Sequence, residues 1–409
     1  MPHSSPLRVL HLPKWYPHRY DDQDGDFVAR HVAAIAGTST ADAPLHAAVV
    51  FAAVARGPLP RLIDREVNLD GPVPTWRYYY RRRLTGLGPL DKLLKLLLWL
   101  ECMRRGLAAV RRHWQGRGPD LVHAHIMLRP AALALWLKWT RGIPYLITEN
   151  WTIFSPQNVH KLGRLRQRVA ALLVRQAATF TPVSDDLRRS LARLGGVAPR
   201  TVIIPNVVDT ELFHLPTAPA GPRRGLLNVA AFNEQAKNLS GLLRTLARLR
   251  QSHPGLPDLH LRIAGYGRAE AEMQQLAADL GLLADGTVEF LGKLPSAGVA
   301  AEMQRAKAFV LFSNYENLPC VLIEAQASGL PAVATSVNGV PELVPPDCGL
   351  LVPPRDEAAL AQALLAVLEA PPTRFAPEAL RRRAEQQYSY PAVGAAFRRV
   401  YRLILGQPE

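Results

Sequence analysis

Cysteine is scarce: three in 409 residues, at positions 102, 320 and 348. They are scattered and odd in number. That excludes a disulfide framework and zinc-type ligand spacing, and it fits a reducing, cytoplasmic setting. No run of about 18 uninterrupted apolar residues occurs, so no membrane crossing is expected. The opening "MPHSSPLRVL" carries no basic-plus-apolar leader. Acids are also in short supply, 34 against 49 Lys and Arg, for a net +15. The imbalance is local. Residues 76–118 hold eleven basic residues and two acids, a net +9. Leucines and aromatics interleave there, as in "WRYYYRRRLTGLGPLDKLLKLLLWLECMRR". Such a segment suits an anionic lipid surface or nucleic acid. It equally suits a buried helix with solvated arginines.

What is present is an alternation of strand-like and helix-like segments, the mark of α/β layering. In the first half, strands are predicted at 7–13, 45–54, 75–80, 121–126, 144–149, 178–184 and 201–206. Helices are predicted at 26–37, 90–114, 130–140, 162–176 and 185–194. The strands are short and apolar without strict alternation, as in parallel strands covered on both faces. The Pro- and Gly-rich "HLPTAPAGPRRG" (214–225) reads as a linker. A second series follows, with strands at 226–232, 259–265, 288–292, 308–313, 332–336 and 349–353. Its helices are predicted at 238–252, 268–280, 297–305, 319–328 and 357–369. The expectation is a first domain over 1–213 and a second over 226–389, with a last helix at roughly 390–405. A length of 409 residues suits two cores. Two parallel sheets facing across a cleft put the default ligand site between their strand ends.

One segment asks for a chemical explanation. "NYENLPCVLIEAQASGLP" (314–331) reads as a short apolar helix with Pro319 at its start and Gly329 at its end, yet carries Glu324 within and Glu316 before. A buried carboxylate needs donors, which ligand hydroxyls or a neighbouring arginine would supply. The free amides around Asn317 to Cys320 would favour a phosphate. Hydroxyls at both ends with phosphate between describe a nucleotide sugar.

"ENLPCVLIEAQASGLPAVATSVNGVPELV" resembles the Glu-x7-Glu region of family-4 glycosyltransferases, retaining enzymes of the GT-B fold. "LPKWYPHRYDDQDGDFVARHV", "DLVHAHIMLRPAALAL", "TFTPVSDDLRRSL", "VIIPNVVDTELF", "NVAAFNEQAKNLSGLLRTLARL", "LRIAGYGRAEAEMQQLA", "VEFLGKLP" and "YSYPAVGAAFRRVYRLIL" resemble its other blocks in order. The resemblance implies two Rossmann-like parallel-sheet domains, with the C-terminal helix within 390–409 returning to the first. It also implies transfer of a sugar from a nucleotide diphosphate-sugar donor to a glycan or lipid-linked acceptor, with neither cofactor nor metal. Glu316 would hold donor-sugar hydroxyls, Asn317 and Leu318 the phosphates, Glu324 the ribose, and Lys237 the diphosphate. Gly25 would let the first-domain loop approach the phosphates. Gly265 belongs to the same donor-binding set, and Lys293 and Leu294 would meet the nucleobase. His125 and Asn150 are expected on the acceptor side, with loop 14–26 and residues 150–154.

Three departures matter. No arginine precedes Lys237, where Phe232 and Asn233 stand. Asn150 occupies a position where the family often has histidine. Gly25-Asp26 replaces a common glycine pair. Other motifs fall away: "DDQDGD" lacks the calcium-loop spacing, and "GYGRAE" is an incomplete dinucleotide fingerprint. His125 could be a satisfied core residue, and His123 is expected on the opposite side of its strand. The rival functions are an epimerase or disaccharide phosphorylase of the same fold, a hydride-transfer enzyme, and a non-catalytic nucleic-acid binder. No nucleic-acid partner is expected. Segment 76–118 suggests peripheral attachment to the inner face of the cell membrane.

Overall fold

The computed structural model describes residues 6–82, 85–216, 221–371 and 374–407. Arg83 and residues 217–220 of the expected linker lie outside them. The first series runs β1 (Leu7–Pro13), α1 (Asp26–Ala36), β2 (Leu45–Val54), β3 (Ile63–Asn68), β4 (Thr75–Tyr80), α2 (Gly88–His113) and β5 (Leu121–His125). It continues through α3 (Arg129–Arg141), β6 (Tyr145–Glu149), α4 (Arg164–Gln176), β7 (Thr179–Pro182) and α5 (Asp185–Arg193). These seven strands form one sheet in the order β3-β4-β2-β1-β5-β6-β7. All neighbours are parallel except β3, which pairs antiparallel with β4 at the edge.

The second series runs β8 (Leu226–Val229), α6 (Glu234–Lys237), α7 (Leu239–Ser252), β9 (Leu261–Ala264), α8 (Glu270–Asp279), β10 (Val288–Gly292) and α9 (Ser296–Arg305). Then come β11 (Ala308–Leu311), α10 (Cys320–Ala327), β12 (Ala332–Thr335), α11 (Val340–Leu343), β13 (Gly349–Val352), α12 (Glu357–Leu368), α13 (Pro377–Tyr388) and α14 (Tyr390–Ile404). Its sheet is fully parallel, in the order β10-β9-β8-β11-β12-β13.

Burial explains the strand composition. Every residue of β5, β6, β7, β11 and β12 is buried, because helices cover both faces. One face of the first sheet packs Val9 and Val49 against Val28 and Val32 of α1 and Phe397 of α14. The other face packs Val50 and Val122 against Trp99 and Met103 of α2 and Ala131 of α3. A separate core joins α7, α8 and α12 to the second sheet. The C-terminal helix thus packs against the first sheet through Phe397 and α1.

Several elements differ from the sequence expectation, among them the short helices α6 and α11, which it lacks. Residues 201–206 form only a bridge from Thr201 to Phe180, not a strand. The edge strand β3 escapes detection because "IDREVN" is charged and largely solvated, so burial does not shape its pattern. Helix α13 is polar enough along "PEALRRRAEQQY" to hide its three buried residues, Leu380, Ala384 and Tyr388.

Candidate active site

In the second sheet the chain enters at β8, moves outward through β9 and β10, then crosses back to β11. The topological switch point therefore lies between β8 and β11. Loops leaving the carboxyl ends of such strands diverge and leave a crevice. A cavity of about 1080 Å³ occupies that place. Ala230–Asn233 after β8, Gly265–Ala269 after β9, Lys293–Ser296 after β10 and Glu316 after β11 line it. The first series contributes Asp22, Gln23, Asp26 and Arg30 from across the cleft.

Helix α10 ends as its sequence requires. Gly329 adopts φ +64°, and its amide donates to Gln326 while Leu330 donates to Ala325. This fixes Glu324 in mid-helix, 6% exposed, on the cavity wall. Its partner is an arginine. Arg30 donates from Nη1 to Glu324 Oε1 at 2.7 Å and from Nε to Asp26 Oδ2 at 2.7 Å. Burial opposes the charge on Arg30, but the fields of Glu324 and Asp26 raise its pKa overall. Glu316, also buried, accepts from Ser313 Oγ at 2.7 Å and pairs with Lys237. Asn233 caps α6 through the Ala236 amide and so sets the helix that carries Lys237.

Of the residues singled out by sequence, Glu316, Glu324, Lys237, Gly265, Lys293 and Leu294 line this cavity together. Gly265 has φ +151°, and a Cβ there would sit 1.9 Å from the Ala230 carbonyl oxygen. Only glycine lets β8 and β9 loops approach so closely. Lys293 pairs with Asp22 at 3.1 Å across the cleft. Gly25 lies just outside the wall, next to Asp26, at φ +69°. A Cβ at Gly25 would meet the Trp15 carbonyl carbon at 2.3 Å, so glycine holds loop 15–25 against its own backbone.

Other expected residues lie elsewhere. The Asn317 side chain accepts from Ser184 Oγ at 3.0 Å, and the Leu318 carbonyl accepts from Asn206 Nδ2 at 2.7 Å. Asn150 in turn donates to Asn206 Oδ1 at 2.6 Å. Asn150 is therefore the first link of a chain that ties the end of β6 to the segment before α10.

His125 is not on the cavity wall. It is buried, and its Nε2 lies 3.0 Å from His11 Nδ1. Its ring stacks on His123 at 3.9 Å between centroids. The expectation that His123 faces the other way is corrected here, because residues two apart on a strand share a face. His123 bonds to Tyr401 Oη at 2.7 Å and Thr148 Oγ1 at 2.6 Å. His31 Nε2 meets the Pro205 carbonyl at 2.9 Å and completes a buried group of four imidazoles. Burial lowers the His11 pKa to about 3 and that of His31 to about 4. Burial, then the neighbouring rings, lower His123 and His125 well below the usual value. Ring nitrogens of His11, His123 and His125 lie within 4.8 Å of one another, a spacing open to a cation. Both His123 nitrogens already have hydroxyl partners, however, and the hydrogen bonds suit a neutral cluster.

Sequence reading missed Arg30, Asp22 and Gln23. The i,i+4 spacing of Asp26 and Arg30 beside Gly25 was the available signal for the first of them. It also missed Glu149, which is fully buried and accepts from the amides of Met127 (2.8 Å), Asn150 (3.0 Å) and Trp151 (2.8 Å). Burial raises its pKa to about 7 against those amides and Lys14. The Lys14 ammonium lies over the Trp151 ring at 3.0 Å and Trp15 at 4.4 Å. Burial lowers its pKa to about 8, with Glu149 opposing.

This arrangement can be set against known proteins. Residues 28–207 match a family described as glycosyl transferase 4-like domain, and residues 223–370 match glycosyl transferases group 1. A phosphatidyl-myo-inositol mannosyltransferase of Mycobacterium tuberculosis is 34% identical over 317 residues, covering 74% of this chain and 80% of the relative. The chain belongs to the family-4 glycosyltransferases. A glycogen synthase of the same organism is 30% identical over 299 residues, covering 71% of this glycosyltransferase and 69% of that protein. Among solved structures, sucrose-phosphate synthase from Thermosynechococcus elongatus superposes with a TM-score of 0.74 at 21% identity, covering 98% of this chain and 99% of that one. Anabaena HepE, solved with UDP and glucose, gives 0.68 at 17%, covering 97% and 99%. These likenesses establish the GT-B fold for this glycosyltransferase, and its relatives establish sugar transfer in glycan synthesis.

Proposed function

We propose that this glycosyltransferase takes its sugar from a nucleotide diphosphate-sugar held in the cavity on the second sheet, and transfers it with retention of configuration and without a metal. The observation that carries this reading is the pairing of both carboxylates of one wall with cations, Glu316 with Lys237 of the same wall and Glu324 with Arg30 from across the cleft. Each pair is neutral without a ligand and separable by one. Donor-sugar hydroxyls would take over Glu316, ribose hydroxyls Glu324, and the diphosphate Lys237. Arg30, released from Glu324, would supply the guanidinium missing before Lys237. Charge on the departing diphosphate would then be stabilised by side chains fixed in advance.

The wall itself offers no histidine base, since His125 is buried among other imidazoles. In the front-face route a departing phosphate oxygen accepts the acceptor proton, so none is needed. The acceptor would enter from the first sheet's side, along Lys14, Trp15, Asn150 and Trp151. Helix α2 supports attachment to an anionic membrane face. Leu93, Leu97 and Leu100 are exposed along it among basic residues, although no helix among the described residues is long and apolar enough to cross a membrane.

The test is a melting-temperature panel with UDP, GDP, ADP and NAD. A nucleoside diphosphate should raise Tm and NAD should not. Transfer should persist in EDTA, with the product anomer matching the donor by NMR. An inverted product or an EDTA-abolished rate would refute the corresponding part.

A further inference from the structure

Helices α2 and α3 lie side by side on one face of the first sheet, and a trough of about 880 Å³ separates their outer surfaces. Its walls are Leu96, Leu97, Leu100 and Leu107 on α2, and Leu133 and Trp136 on α3. Leu97 is 52% exposed and Trp136 48%. Neither is needed to close the core, so the apolar surface calls for an occupant. From Leu96 to Arg111 the trough runs about 22 Å at the helical rise. Both helices follow parallel strands, and so both begin at the carboxyl edge of the sheet, where the cleft lies. Arg129, the first residue of α3, therefore stands where the trough meets the cleft.

The trough is also electropositive. Arg104, Arg111, Arg129 and Arg141 line it, with Glu101 the lone acid among the lining residues. Glu101 is already held by Arg104 at 2.6 Å and Arg105 at 2.7 Å. Arg129 donates to Tyr80 Oη at 3.5 Å and has no carboxylate partner among the described residues. It adjoins the acceptor side of the cleft. The Lys14 amide donates to the His125 carbonyl at 3.0 Å, and α3 starts four residues later. Trp15, Trp151, Lys14, Arg129 and the trough thus form one path from cleft to apolar channel.

Resting on the transferase reading above, we propose that the acceptor is a hydroxyl-bearing lipid phosphate, its hydrocarbon tail in the α2–α3 trough, its phosphate at Arg129 and its hydroxyl toward the donor. The hydroxyl oxygen then bonds the anomeric carbon as the bond to the diphosphate breaks, and its proton leaves on the departing phosphate. Guanidinium matches phosphate geometry, and the leucine-lined channel matches an alkyl or prenyl chain. A soluble glycan would leave the trough idle. Mere adsorption to a bilayer would use the exposed leucines without Arg129.

The experiment titrates the full chain with dodecyl phosphate below its micelle threshold, beside inorganic phosphate, dodecyl maltoside and UDP. Dodecyl phosphate should bind one to one and about tenfold more tightly than either comparator. Arg129→Gln should bring it to the level of dodecyl maltoside. Leu97→Glu, with Trp136→Gln as a second tail-side change, should bring it to that of inorganic phosphate. All three positions lie outside the donor wall, so UDP binding and Tm should hold. Equal binding of dodecyl maltoside would reveal a nonspecific apolar face, and equal binding of inorganic phosphate a site without a tail. Either result overturns the proposal. UDP binding without dodecyl phosphate binding overturns this inference alone, whereas a chain that fails to bind any nucleoside diphosphate overturns the donor reading.

Discussion

On the second sheet's side, the cleft wall consists of glycines and paired charges. Gly265 brings two loops within touching distance, Glu316 pairs with Lys237 on the same wall, and Glu324 pairs with Arg30, which reaches over from α1 on the first sheet's side. On the first sheet's side, the same strand ends bury their polar groups. Four imidazoles and Glu149 sit behind the surface, and two half-buried tryptophans with a lysine between them lie in front of them. On the proposed reading, the first wall exchanges the partners of its paired charges with a polar ligand. The second keeps its hydrogen bonds internal and presents half-buried indole rings, with Lys14 stacked over Trp151. On that reading, the difference separates two controls: donor charge on the first of these walls, acceptor shape on the second.

The comparison breaks first if Glu316 proves dispensable. Glu316→Ala should lower kcat by about a hundredfold while UDP affinity stays near that of the parent, as expected for a group acting on the reacting sugar. A variant with full turnover would remove the donor wall from the chemistry. Glu324→Ala should act on binding instead, weakening UDP about tenfold by calorimetry. It also strips Arg30 of one partner, but Asp26 remains at 2.7 Å, so the stability loss should stay below the 3–5 kcal/mol typical of an orphaned buried charge. Trp151→Ala probes the other wall. It should raise acceptor KM about fivefold through loss of one stacking face, with donor KM unchanged. A change in donor KM alone would reverse the assignment.

Legibility followed the same divide. Glu316, the helix and Glu324 lie within one continuous stretch, so a carboxylate in an apolar helix announced itself. Lys237, Gly265, Lys293 and Leu294 were reached through resemblance and converge on one cavity because each follows a strand of a single sheet. The proposed acceptor wall is assembled from the ends of β1, β5 and β6, which are more than a hundred residues apart in part, and no local pattern joins Lys14 to Trp151. His125 looked exposed to chemistry because sequence shows a strand end but not the helices covering it. The Arg30–Glu324 pair was anticipated only as the rival reading of Glu324, without its partner named. The main strands were legible because burial on both faces forces apolar runs. β3 was not, because an edge strand is free of that demand.

The smallest effect concerns pH and separates the walls by titration. The four buried histidines have folded pKa values below the ordinary 6.5, with His11 near 3 and His31 near 4. Their neutral forms contribute fully above about 6.5, and stability is lost as pH falls through the window down to about 3. Glu149 has the opposite sign. Its folded pKa, about 7, exceeds the usual 4.5, so its contribution is complete at low pH and is lost as pH rises through 7. Between about 4.5 and 6.5 the two trends compete, and four imidazoles outweigh one carboxyl. Urea unfolding should therefore show lower stability at pH 5 than at pH 7. His31→Phe should remove up to one proton from that dependence, or at most about 1.4 kcal/mol per pH unit. A variant as acid-sensitive as the parent would mean that the histidine cluster does not set the pH response of this wall.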